Sequence, residues 1–121
     1  MKFDMKPSKI NHTQSQLFDI RLSDQLNPKN PLYQLSKQID WGYFDKEFEE
    51  FFKSNFGHPP KPIRLMVGLL MLQHIYNESD ENVVLKWIEN PYWQFFCGYG
   101  YLQWEKPIDP TSLVRWRKRL R

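Results

Sequence analysis

Pro62-Ile63-Arg64-Leu65-Met66-Val67-Gly68-Leu69-Leu70-Met71-Leu72-Gln73-His74-Ile75-Tyr76-Asn77 is the stretch on which the fold turns. Its apolar side chains follow no alternation of period two and fall on almost every side of a 3.6-residue helix. A helix that is apolar all round is the buried centre of its domain. Pro62 suits the opening of such a helix, because its missing N–H would have no partner there. Gly68 costs about 1 kcal/mol relative to Ala in a helix interior, a cost that makes sense where a neighbouring backbone crosses closely. The run includes Arg64, Gln73 and His74 and is shorter than the ~20 apolar residues of a membrane span.

Working toward the N-terminus, Gly57-His58-Pro59-Pro60-Lys61-Pro62 breaks the chain, since three prolines in four residues exclude helix interior. Before it, Asp40 caps a helix from Trp41 to about Asn55. Phe44, Phe48, Phe51 and Phe52 form one stripe of that helix, with Asp45, Glu49 and Lys53 off it. Such a stripe is core. Asn30 caps a further helix with Pro31 at its first position, and Leu32, Leu35 and Ile39 recur along it.

Working toward the C-terminus, Asn77-Glu78-Ser79 is a second break. Ser79 caps a helix whose first turn carries Asp80 and Glu81, and Val83, Val84, Trp87 and Ile88 face inward. The carboxylates Glu78, Asp80, Glu81 and Glu89 read as acids on a solvated face, with no His or Cys nearby in sequence to complete a metal set. Asn90-Pro91 starts a short helix, Tyr92 to Cys97, that Gly98 ends; its aromatics are packing residues and Cys97 is a small buried hydrophobe. Gly98 to Pro107 is irregular or briefly extended. Asp109-Pro110-Thr111-Ser112 then starts a last helix, from about Ser112 to the end.

That last helix carries the charge. The 121-residue chain has a net charge of +3, yet all of the excess lies in residues 111–121, where Arg115, Arg117, Lys118, Arg119 and Arg121 occur without an acid. Leu113, Trp116 and Leu120 share one side, Arg115, Lys118 and Arg119 the opposite one, and Arg117 and Arg121 flank the apolar stripe. One side docks on the core while the other presents cations. This is the footprint of a polyanion partner, although basic residues also suit the C-terminal end of a helix dipole. For a duplex, Thr111, Ser112, Arg115 and Arg119 are best placed to touch it from the N-terminal half. The candidate DNA-binding set is Lys61, Arg64, Thr111, Ser112, Arg115, Arg117, Lys118, Arg119 and Arg121.

Other classes fall away. The single cysteine excludes an intrachain disulfide and a Cys-rich zinc module, and His12, His58 and His74 are too far apart for zinc-ligand spacing. No glycine-rich phosphate loop and no Ser–His–Asp set is visible. The N-terminus lacks the apolar core of a signal peptide, which makes a cytoplasmic protein without a membrane anchor the expectation. The fold class is all-α: a compact bundle of about five to six short helices ending in a helix-turn-helix-like basic helix.

Several of these segments resemble one family. Gly57 to Leu70 is similar to the N-terminal domain of insertion-sequence-five-type (DDE) transposases. So are Ser79-Asp80-Glu81-Asn82-Val83-Val84, Trp87 to Gly98, Asp109 to Leu113 and Arg115-Trp116-Arg117-Lys118-Arg119. Leu17-Phe18, Arg21-Leu22, Leu26-Asn27-Pro28 and Ile39-Asp40-Trp41 fit the same pattern, so the likeness covers roughly residues 15–121. The resemblance implies a flexible N-terminal arm at 1–14 and a transposase N-terminal helical domain at 15–121. That domain would recognise the terminal inverted repeats of an insertion sequence in double-stranded DNA. In the family, a ribonuclease-H-like domain with three carboxylates and divalent metal follows. Asp80, Glu81, Glu89 and Asp109 match the helical-domain motifs instead, so no catalytic residue carries over and no cofactor is expected in this chain. The sequence stops within its basic helix, which suggests a gene remnant, the first frame of a split transposase, or a separate DNA-binding piece. The alternative is a protein–protein module in which an aromatic surface from Tyr92 to Trp104 mediates homodimerisation or docking on full-length transposase.

Overall fold

A computed structural model describes residues 20–55 and 61–119. The arm expected at 1–14, the residues 56–60 of the proline break, the side chain of Phe52, and Leu120 and Arg121 lie outside the described residues. Seven helices and no strand occur among the described residues: α1 Leu22–Gln25, α2 Pro31–Gln38, α3 Trp41–Asn55, α4 Ile63–Tyr76, α5 Asp80–Glu89, α6 Pro91–Phe96 and α7 Pro110–Arg119. The sequence reading lacked the single turn α1, which closes over α6 and is held by Leu22 N–H donating to Gly100 O.

The expected start signals act through their side chains. Asn30 Oδ1 accepts from Leu32 and Tyr33 N–H, with Pro31 at the first helical position. Asp40 Oδ1 accepts from Tyr43 N–H, Ser79 Oγ from Asn82 N–H, and Asn90 Oδ1 from Tyr92 and Trp93 N–H. Each satisfies a donor that a helix N-terminus otherwise leaves unpaired. Asn77 ends α4 in the left-handed region at φ 55°, a conformation that Asn tolerates better than most residues. The last helix begins at Pro110, two residues before Ser112, because Pro fits the first turn as well as Ser does.

Helix α4 is central. Leu65, Met66, Leu69 and Leu72 are fully buried, with Val83, Val84 and Trp87 of α5, Phe96 of α6, and Leu113 and Trp116 of α7 around them. Helix α3 lies along α4, α2 and α5 hold α6, and α7 rests on α5. The basic helix follows α6 through the irregular segment 97–109 and packs on α5. Phe44, Phe48 and Phe51 are half-buried against the core as expected.

The close crossing expected at Gly68 is present. A Cβ there would lie 2.6 Å from Cys97 Sγ and 3.3 Å from Cys97 Cα, so α4 and the end of α6 touch backbone to backbone. The central helix is not buried throughout. In its last turn Ile75 is 48% and Tyr76 44% exposed, although the Tyr76 ring stacks on Trp93 of α6 at 5.1 Å.

Candidate nucleic-acid interface

Helix α7 stands on Leu113 and Trp116. Trp116 meets Phe48 edge-on at 5.6 Å between ring centroids, which ties the basic helix to α3. A second tie is ionic. Arg117 Nη1 and Nη2 donate to Asp80 Oδ1 and Oδ2 at 2.8 and 3.1 Å. Gln73 Nε2 donates to Asp80 Oδ1 at 2.6 Å, and Arg117 Nη1 reaches Gln73 Oε1 at 3.2 Å. The network joins α4, α5 and α7. The hydrogen bonds from Arg117 hold the Asp80 carboxyl below its usual range; burial opposes this and the Gln73 bond assists.

Arg117, expected to flank the apolar stripe, lies over the first turn of α5, where the Asp80 carboxylate pairs with it. Asp80 is correspondingly not a solvated first-turn acid. Glu78 is engaged too, by Lys86.

The opposite face of α7 is open. Thr111, Arg115, Lys118 and Arg119 are exposed. Arg115 Nη2 donates to Ser112 Oγ at 3.2 Å, and among the described residues neither Arg115 nor Lys118 forms an ion pair. At the foot of α7, Lys61 and Ser112 line a shallow hollow of about 290 Å³ together with Lys106. The structure thus brings Lys61, near the end of the proline break, together with Ser112 in the first turn of α7. Lys106 was missed, because it lies in the irregular segment where no periodicity assigns a face. It also pairs with Asp109 at 3.3 Å, a contact between exposed side chains that adds little stability.

Arg64 is elsewhere. Its guanidinium lies 4.4 Å over the Trp41 ring, and Nε and Nη2 donate to the carbonyls of Phe96 and Phe95 at 3.2 and 3.4 Å. Gly98, at φ +96°, covers its stem; a Cβ there would meet Arg64 Cδ at 2.8 Å. Arg64, expected from its place in the first turn of α4 to reach solvent or a phosphate, thus lies apart from the cations of α7 and lines a different pocket. The carbonyls at the C-terminal end of α6, of which that of Phe95 also accepts from Gly98 N–H, draw it sideways.

Most aromatics of the stretch Tyr92 to Trp104 pack inward. Trp93 and Phe96 are buried, Phe95 stacks on Tyr33 at 4.5 Å, and Tyr99 meets Trp87 edge-on at 5.2 Å. Only Tyr101 and Trp104 of its aromatics are exposed. Gln94, fully buried, is the polar centre of this region: Nε2 donates to the carbonyls of Trp87, Ile88 and Gln103, and Oε1 accepts from Gln103 N–H at 2.7 Å.

No group of three or more His, Cys, Asp and Glu side chains suited to a metal ion occurs among the described residues. None of the described helices is long and apolar enough to cross a membrane.

Comparison with known proteins gives two matches. Residues 20–119 match the family described as Transposase domain (DUF772). An uncharacterized protein, ORF8 in the nfe locus of Rhizobium meliloti, is 45% identical over 116 residues, which is 96% of this chain and 56% of that protein. The chain spans just over half the length of that curated relative. No solved structure matches this chain.

Proposed function

The chain belongs to the DUF772 transposase-domain family, and we propose that within it the outer face of α7 binds double-stranded DNA, as the part of an insertion-sequence transposase that recognises terminal inverted repeats. The observation that carries this reading is the two-sided construction of α7. Leu113, Trp116 and the Arg117–Asp80 pair fasten one side. Arg115 and Lys118 stay exposed on the other, without an ion pair among the described residues. Cations held at fixed spacing on a rigid helix neutralise phosphates, and neutralisation releases counterions. Lys61 and Ser112 continue the phosphate-facing surface beyond the foot of the helix, in a hollow they share with the Lys106–Asp109 pair. The residues described here hold DNA in the cytoplasm and do not cut it. The carboxylate of Asp80 is committed to Arg117 and Gln73, and that of Glu78 to Lys86.

A mobility shift with terminal-repeat duplex across a salt series tests the reading. Affinity should fall steeply with salt. Replacing Arg115 and Lys118 by Ala should flatten the slope of log K against log salt by about 0.9 for each lost phosphate contact. Absence of binding at low salt, or binding indifferent to salt, overturns it. Strand-transfer assays with Mg²⁺ or Mn²⁺ should give no product from this chain alone; product formation would refute the non-catalytic assignment.

A further inference from the structure

Away from the outer face of α7, Arg21, Lys37 and Arg64 converge on one polar pocket of about 270 Å³, with Ser23, Gly98 and Gly100 also on its wall. The cations come from three different places: the residue before α1, the last turn of α2 and the first turn of α4. Among the described residues no carboxylate lines the pocket. The acid whose field reaches Arg64 is Asp45, on α3.

Like charges gathered in one hollow repel one another, so what holds them there matters. Here aromatic rings do. Arg21 lies 5.6 Å from the centre of the Tyr101 ring, Lys37 5.4 Å from Phe95 and 5.6 Å from Tyr33, and Arg64 4.4 Å from Trp41. A ring face attracts a cation without neutralising it, so all three charges remain available to a ligand. Arg64 is the most firmly placed. Two carbonyls take N–H groups from Nε and Nη2, and the rest of its five N–H donors are left for an acceptor.

We propose that this pocket binds a phosphate group. A carboxylate offers two oxygens in one plane, whereas a tetrahedral phosphate can meet donors arriving from three elements at once. The volume falls just under the ~300 Å³ at which pockets begin to take drug-sized ligands, which suits a phosphate with at most its sugar. Two sources present that group: a phosphodiester of a DNA backbone, or a free phosphate or phosphomonoester. The first is within reach, because Lys61 of the hollow beneath α7 and Arg64 of this pocket are three residues apart, at most about 11 Å of chain.

The test uses ¹⁵N-labelled protein titrated with inorganic phosphate at constant ionic strength, with chloride as control. Saturable shifts of the Gly98 and Gly100 amides are expected. They should weaken at least tenfold in the double variant Arg21→Gln with Lys37→Gln. Ser23→Asp, which sets a carboxylate at the exposed rim, gives the same loss independently should the double variant fold poorly. Arg115→Ala with Lys118→Ala should leave phosphate binding intact, so failure of the α7 reading is separable from failure of this one. In the DNA arm, a salt slope flattened by about 0.9 per contact in the pocket variant identifies the backbone as the source; an unchanged slope with lost phosphate binding identifies a free phosphate. No saturable shift together with an unchanged DNA slope overturns the proposal, as does an equal phosphate response in the variants.

Discussion

Replacing Arg117 by Gln removes the donor pair that fastens α7 to α5, and the size of the loss can be bracketed from the geometry. Fully exposed ion pairs contribute about 0.2–1 kcal/mol. Hydrogen bonds to charged groups contribute about 1.5–3 kcal/mol when shielded. The Arg117 and Asp80 side chains are 33% and 24% exposed, and Gln73 completes the network. An intermediate loss of about 1–2 kcal/mol follows. For a domain of this size that is a fall in Tm of about 4–8 °C. Asp80 also sits in the first turn of α5, where its charge suits the helix dipole. A double-mutant cycle with Asp80→Asn isolates the pair from that effect, and a coupling of about 1 kcal/mol is expected. The coupling depends on pH in a defined direction. Asp80 titrates lower in the folded chain than in the unfolded one. The contribution is therefore complete above the unfolded value of about 3.9 and is lost as pH falls through the depressed folded value. The DNA assay gives the complementary readout: Arg117→Gln should leave the salt slope unchanged. A variant that flattens the slope by about 0.9 while melting like the parent would show Arg117 to be a phosphate contact and refute the fastening role.

Three further outcomes are expected. Gly68→Ala should destabilise by about 1–3 kcal/mol in chemical denaturation, although Ala is the better helix former, because its methyl would overlap Cys97 Sγ and crowd the Cys97 backbone; an unchanged or raised midpoint would mean that α4 and α6 do not cross there. The Cys97 thiol, pushed up to about 12 by burial against the weaker opposing effects of Trp87 and Arg64, should resist a thiol reagent at pH 8 until the protein is unfolded, and rapid labelling of the native protein would contradict its burial. Gln94→Leu should cost about 2–4 kcal/mol, since it strands Gln103 N–H and the carbonyls it serves; a thermal melt within 2 °C of the parent would show that water replaces it.

Much of the fold was legible because its signals are local. Asn30-Pro31, Asp40, Ser79 and Asn90-Pro91 act on N–H groups two or three residues away, so each helix start is written beside itself. The central position of Pro62–Asn77 follows from having no polar face to show to water. Even Gly68 carried its reason, since a helix interior tolerates Gly best where something passes close. The single turn α1 was not legible, because four residues have no periodicity and α1 is held by Gly100, far along the chain.

The candidate site divides in the same way. The sequence by itself determined that the final helix has an apolar side and a cationic side, because a helix period maps position onto face. Which cations remain for a ligand was decided only by the tertiary structure. Arg117 and Asp80 are far apart in sequence and meet because α7 lies on α5; Arg64 turns toward the end of α6; Arg21 and Lys37 join it from elements that show no shared pattern. Charge is carried by the residue, but its availability depends on what the fold sets within a few ångströms of it, and Coulomb attraction at that range is indifferent to distance along the chain.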